Sequence, residues 1–260
     1  NLKQVFKLIT SKKLSKIKFI KHGFFNKIGG KSKKIYSSLN CGSRSKDKAA
    51  NIKKNIEIVK KKLCKNSNNI FLLHQVHGSK FIYIDKNYKF KRKKPRADAI
   101  VTNQKNLPIA ILTADCAPIL ICDNKKKMVA AIHAGWKGAY KGIVSKIIKF
   151  MIKKGCKLEN ITVAIGPSIS VNNYEVKKDF KKKFLDKDKK NNKYFINKDN
   201  KLFFNLTKYV RSVLIGNRIK NIETLNIDTF NAKNKFFSAR RALSLQQNDY
   251  GRNISIIMIN

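Results

Sequence analysis

The sequence predicts an α/β (α+β) sandwich, one domain over residues 1–260, with mixed sheets flanked by helices. Three observations predict it. A chain of 260 residues at 42% hydrophobic can bury a substantial core. Strand-like apolar runs dominate its middle. Amphipathic helical segments are interspersed without the regular alternation, or the Gly-rich fingerprint, of a doubly wound parallel sheet.

Taken in order, "KFIKHGFFNKIGG" reads as a short strand and a Gly turn. "SKDKAANIKKNIEIVKKKL" reads as a helix, with Ile52, Ile56, Val59 and Leu63 at helical spacing. "NIFLLHQVHGSKFIYID" gives two β runs around Gly78, "PRADAIVTN" a third, and "PIAILTADCAPILICD" a buried strand interrupted at Pro118. "KKMVAAIHAGWKG" is the neighbouring strand. After its glycines comes the helix "IVSKIIKFMIKKG", then the strand "NITVAIGPSIS". "DFKKKFLDKDKKNNKYFINKDNKLFFNL" is a lysine-rich helix followed by a polar excursion, and "LTKYVRSVLIGN" is a helix. "FFSARRALSLQQNDYGRNISIIMI" closes with turn-like residues and a terminal strand. No internal repeat is present.

The formal net charge is +44, which attracts polyanions. Lysine is scattered along the whole chain, whereas arginine, the residue suited to bidentate phosphate and base contacts, is sparse. The runs "KKNIEIVKKKLCK", "KFKRKKPR" and "KKDFKKKFLDKDKK" therefore read as solvated faces, and no specific nucleic-acid partner is expected. Weak polyanion binding stays open. No apolar window reaches the roughly 18 residues of a membrane span, because Asp115 and Pro118 break the best candidate. The basic amino terminus lacks the apolar core of a signal peptide. Five cysteines at irregular spacings read as free thiols in a reducing compartment, so a cytoplasmic location is expected.

Neutral imidazole and thiolate together are typical zinc ligands, and three of them leave a position open for water or substrate. Of the four histidines, His22, His74, His77 and His133, two are followed by glycine or Ala-Gly, where a turn can deliver a side chain to a cleft. These are His77 and His133. Cys116 ends an apolar run in the same way. Each also has a structural reading, a small buried hydrophobe or a locally bonded imidazole. In the β run "FLLHQVHG" side chains alternate faces, so His74 and His77 are expected to point to opposite sides, with Gln75 on the side of His77.

"HQVHG", "ADAIVTN", "LTADCAPILICD", "AAIHAGWKG", "IGPSIS…YEV" and "FFSARR" occur together and in order. They resemble the signatures of the multicopper polyphenol oxidoreductase (laccase-like) family, also described as zinc-dependent purine nucleoside phosphorylases with adenosine deaminase activity and as peptidoglycan editing factors. The resemblance runs from about His22 to Arg252 and includes "HGFFNKIGG" and "YSSLNCG". It implies His77, Cys116 and His133 as ligands of one zinc ion. It also implies phosphorolysis of adenosine, inosine, guanosine and S-methyl-5′-thioadenosine, with deamination of adenosine to inosine. Phosphate needs arginine forks and backbone N–H groups, for which Arg240 and Arg241 are the candidates and Arg44 a third. Asp115 is placed to orient a ligand, to act as a base, or to cap local N–H groups. Gln75 is a candidate substrate contact. Trp136 stacks on a purine or packs beneath its loop. The cysteine pair common in the family before Tyr-Glu-Val is replaced by "SVNNYEV". Copper is disfavoured, because a multicopper centre needs more than four histidines. Two other functions remain open from sequence: hydrolytic editing of cell-wall precursors, and a non-enzymatic basic protein binding RNA.

Overall fold

The computed structural model describes residues 8–260, so part of the basic amino-terminal stretch lies outside the described residues. In chain order the elements are β1 (Leu8–Ile9), α1 (Lys12–Ser15), β2 (Ile20–Phe25), α2 (Ala49–Leu63), β3 (Phe81–Ile84), β4 (Ala99–Thr102), β5 (Ile109–Thr113), β6 (Ala117–Asp123), β7 (Met128–Ala134), α3 (Trp136–Tyr140) and α4 (Ile143–Lys153). They continue with β8 (Ile161–Ile165), β9 (Glu175–Val176), α5 (Lys178–Lys187), β10 (Phe195–Lys198), β11 (Lys201–Phe204), α6 (Leu206–Gly216), β12 (Asn221–Thr224), α7 (Ala239–Ser244) and β13 (Asn253–Ile259).

An antiparallel sheet runs β1-β2-β13-β5, and a mixed sheet runs β12-β8-β6-β7-β4-β3, parallel only at β12/β8 and β4/β3. The strand period of two sorts side chains into layers. Ile109 and Ile111 of β5 and Ile257 and Ile259 of β13 join Leu120, Cys122, Val129 and Ala131 of the mixed sheet in one core between the sheets. Ala110, Ile254, Ile256 and Met258 face the other way and pack with Val59 of α2. On the outer face of the mixed sheet, Ile119, Ile121, Ala130 and Ile132 meet Ile143, Ile147 and Met151 of α4, and Val210 and Leu214 of α6. The result is helix, sheet, sheet, helix: the mixed α/β sandwich read from the sequence.

Four local readings are corrected. The run at 69–77 is a loop carrying only isolated bridges at Phe71 and His74, so strand parity does not apply to His74 and His77. "PIAILTADCAPILICD" breaks at Ala114–Cys116, where the chain crosses from one sheet to the other, and Pro118 sits inside β6. Pro118 is tolerated there because it lies opposite Gly166, just past the end of β8, and its carbonyl accepts the Gly166 N–H at 2.8 Å. The polar excursion is the β10–β11 hairpin, turning at Asp199 and Asn200, both with positive φ. The turn-like segment near the carboxyl terminus contains α7, whose first turn is capped by the Ser238 hydroxyl accepting from the Arg241 N–H at 3.1 Å.

Candidate metal centre

Cys116 immediately precedes β6, and His133 stands opposite Pro118 on the adjacent β7, so the open end of this hairpin brings the two together. Asp115, at φ 85°, turns the chain between the sheets and points Cys116 into the gap. His77 reaches the same place from the loop before β3, itself at φ 57°. The ligand atoms of His77, Cys116 and His133 all lie within 4.8 Å of one another, and the two imidazole rings meet edge-on at 4.7 Å. Gly135 leaves the room: a Cβ there would lie 2.9 Å from the Cys116 Sγ and 3.1 Å from the His77 ring.

Asp98 organises this trio. Fully buried just before β4, it accepts the N–H groups of Val76 (3.1 Å), His77 (2.9 Å) and Gly78 (2.7 Å), which fixes the left-handed His77 turn. The same carboxylate meets His133 Nδ1 at 2.8 Å, leaving Nε2 free to ligate, as in carboxylate–histidine–metal arrangements. Burial would raise the Asp98 pKa, but the His133 contact and the Gly78 and Val76 N–H groups outweigh it and hold it low. For Cys116, burial again opposes, yet the His133 and His77 rings bring the thiol down to about 6, favouring the thiolate that binds metals. The His133 imidazole, against the pull of burial, is raised by Cys116 and Asp98. Two imidazoles and a thiolate, with His133 Nδ1 already committed to Asp98, form a group able to hold a metal ion.

Two cavities meet at this centre, and His77, Ala114, Cys116 and Tyr250 line both. One, of about 460 Å³, is walled by Tyr174, Leu206, Arg240 and Leu243. The other, of about 610 Å³, is walled by Arg44, His74, Arg96 and Arg252. His74 thus lines a cavity with His77 while standing outside the metal-ligating trio.

Asp115 caps: its carboxylate accepts the Arg240 N–H at 2.7 Å and the Thr229 hydroxyl at 2.7 Å, and burial raises its pKa. Arg240 stands at the rim of the first cavity, its guanidinium over the Tyr174 ring at 5.2 Å and donating to the Glu175 carbonyl. The Arg241 guanidinium donates to the carbonyls of Thr229, Phe230 and Phe236 and lines neither cavity. Gln75 clamps Leu112, donating to its carbonyl at 2.7 Å and accepting its N–H at 2.8 Å. Arg44 is exposed, donating to the Gln75 carbonyl at 3.1 Å. Trp136 packs edge-on to Phe180 at 4.8 Å. The residues sequence reasoning left without roles are Asp98, Tyr174, Tyr250, Arg96 and Arg252. Asp98 carried a signal: a carboxylate between alanines at the head of an apolar strand is buried and needs partners.

A family model described as multi-copper polyphenol oxidoreductase laccase matches residues 21–260. The chain belongs to this family. Among its relatives, a purine nucleoside phosphorylase of Rickettsia conorii is 37% identical over 187 residues, 71% of this chain and 75% of that protein. A purine nucleoside phosphorylase of Bacteroides thetaiotaomicron is 30% identical over 258 residues, covering 95% and 94% of the two chains. In structure, the hypothetical protein YfiH of Bacillus licheniformis superposes with a TM-score of 0.88 at 23% identity, over 99% of this chain and 98% of that one. A Neisseria meningitidis protein does so with a TM-score of 0.82 at 27% identity, over 94% and 95%. No helix among the described residues is long and apolar enough to cross a membrane.

Proposed function

We propose that this chain is a zinc-dependent purine nucleoside phosphorylase that also deaminates adenosine, working in the cytoplasm as one catalytic domain, with His77, Cys116 and His133 holding the zinc. The observation that carries the reading is the trio itself, with Asp98 behind His133 and two cavities opening onto it. The donor set fits zinc, since two neutral imidazoles and a thiolate leave a position for substrate or water. Among the described residues no second group of three such ligands occurs, which speaks against a multinuclear copper centre. When bound, zinc supplies Lewis acidity and lowers the pKa of water at the floor of the cleft.

The protein side chains supply binding and orientation. The cavity of about 460 Å³ offers aromatic faces at Tyr174 and Tyr250, with Leu206 and Leu243 for the flat purine and the sugar. In phosphorolysis a phosphate oxygen bonds to ribose C1′ as the C1′–N9 bond breaks, and the purine leaves with the bond's electron pair and takes a proton. In deamination the oxygen of water replaces the purine 6-amino group, which leaves as ammonia. Asp115 and Gln75 serve both reactions indirectly, by holding the Cys116 turn to α7 and the His77 loop to β5. Arg240 is positioned to touch a bound nucleoside, and Arg241 holds the 229–236 segment in shape. The relatives named purine nucleoside phosphorylase support the substrate class.

The test is product analysis on purified protein with zinc measured in parallel. Adenosine plus phosphate is expected to yield free base and ribose 1-phosphate, and adenosine alone to yield inosine. Full zinc occupancy without phosphate-dependent base release would overturn the reading.

A further inference from the structure

The two cavities differ in charge. The first contains Asp115 and Asp249 beside Arg240, whereas Arg44, Arg96 and Arg252 line the second and no carboxylate lines it. Among the described residues no ion pair engages Arg44 or Arg96, and Arg252 reaches Asp249 only at 3.9 Å. Lys94 approaches the same rim, its ammonium 3.5 Å from the Ser43 hydroxyl. These cations converge: His74 is held below its ordinary pKa by burial first, then by Arg44, Arg96 and Lys93. Arg252 is partly engaged, over the Tyr250 ring at 4.7 Å and donating to the Tyr250 carbonyl at 3.1 Å, but Arg44 and Arg96 share the cavity without an ion-pair partner among the described residues and repel one another, and a multiply charged oxyanion relieves that repulsion. His77, Cys116 and His133 line this cavity too, so an anion there lies beside the candidate metal centre.

We propose that the cavity lined by Arg44, Arg96 and Arg252 is a phosphate subsite, so that phosphate reaches the candidate metal centre through a cavity separate from the nucleoside cavity walled by Tyr174 and Arg240. The assignment rests on the phosphorylase reading. It moves the anion away from Arg240 and Arg241 and onto Arg44, the third candidate named from the sequence. Arg240 is occupied by Tyr174 and Glu175, and Arg241 by three backbone carbonyls. Arg44 and Arg96 are the specificity-determining pair because both are exposed at the cavity and neither is needed to close the core.

The experiment uses the zinc-loaded full chain and measures inorganic phosphate binding by calorimetry, beside the phosphate KM of base release. The double variant R44A/R96A is expected to bind phosphate at least about tenfold more weakly and to raise the phosphate KM in proportion. A double variant removing the same charge elsewhere, K61A/K65A, is expected to bind phosphate as the wild type does, and R44K/R96K to recover part of the affinity. Unchanged phosphate affinity in R44A/R96A, or an equal loss in K61A/K65A, overturns the subsite. A second arm titrates AMP. Phosphate binding that AMP does not displace identifies free phosphate as the ligand, and displacement that also requires Arg44 and Arg96 identifies the phosphoryl group of a nucleotide at the same subsite. The two readings fail separately: phosphate bound by these arginines without base release sinks the phosphorylase, and base release with an unaltered phosphate KM in R44A/R96A sinks the subsite.

Discussion

Replacing Asp98 by Asn tests whether one buried carboxylate holds the metal centre together. The carboxylate accepts from three backbone N–H groups, at 2.7 to 3.1 Å, and meets His133 Nδ1 at 2.8 Å. An asparagine has one acceptor oxygen and one NH2 group, so either orientation fails somewhere. With its oxygen toward His133, the NH2 faces the Gly78 N–H and a donor opposes a donor. With the NH2 toward His133, Nδ1 must accept, the proton moves to Nε2, and the nitrogen that faces Cys116 is no longer a ligand. The first orientation costs one hydrogen bond to a charged group, about 1.5–3 kcal/mol. Loss of a carboxylate behind a metal-bound histidine weakens metal binding about 10- to 100-fold. Zinc affinity measured by chelator competition, with thermal unfolding of the metal-free protein in parallel, separates the two effects. D98N that binds zinc as tightly as the wild type would refute the arrangement, whatever its stability.

Other outcomes follow from the same geometry. His77→Ala is expected to lose most bound zinc, and His74→Ala to keep it, because His74 stands outside the trio despite lining the adjoining cavity; zinc analysis of the two purified proteins decides between them. Arg241→Ala is expected to lower stability by about 2 kcal/mol or more, since three carbonyls lose a charged donor, while the phosphate KM stays unchanged; a raised phosphate KM would return Arg241 to the substrate. His22 Nε2 accepts the Ser11 N–H at 2.9 Å, and burial pulls its pKa down to about 4. Its folded pKa lies below the ordinary 6.5, so stability is full above pH 6.5 and falls as the pH drops toward 4, by up to about 3 kcal/mol. His22→Gln keeps an acceptor and removes the titration, so its stability is expected to fall less over that window; superimposable pH–stability curves for the two proteins would contradict this.

Much of the sandwich is legible because periodicity follows burial. The β6–β7 hairpin, α2 and α4 sit where apolar spacing puts them, and the motifs bring out the residues that form the trio. Loops escape because tertiary contacts set them. "FLLHQVHG" has the composition of a strand, yet the chain at His77 takes a left-handed turn held by a carboxylate about twenty residues downstream. Gln75 lines the same cavity as His77, but its amide is held by Leu112, a partner no local pattern announces. Arg240 and Arg241 are adjacent and identical in sequence. Only the start of α7 separates them, sending one guanidinium over Tyr174 and the other into a ring of carbonyls.

Two of the positions where local rules fail help to build the site. His77 and Asp115 are both non-glycine residues at positive φ, a conformation that costs free energy unless the surroundings impose it. At His77 they do so through Asp98, and at Asp115 through Thr229 and the Arg240 N–H. One of these strained residues is itself a candidate ligand and the other directly precedes one. The strain is offset by buried carboxylates whose hydrogen bonds would have no purpose in an ordinary strand or turn. Gly135 completes the pattern, since any side chain there would enter the space between Cys116 and His77. That these three positions are held together, at the point where the chain crosses between its two sheets, is the strongest physical argument that this end of the sandwich is shaped for chemistry.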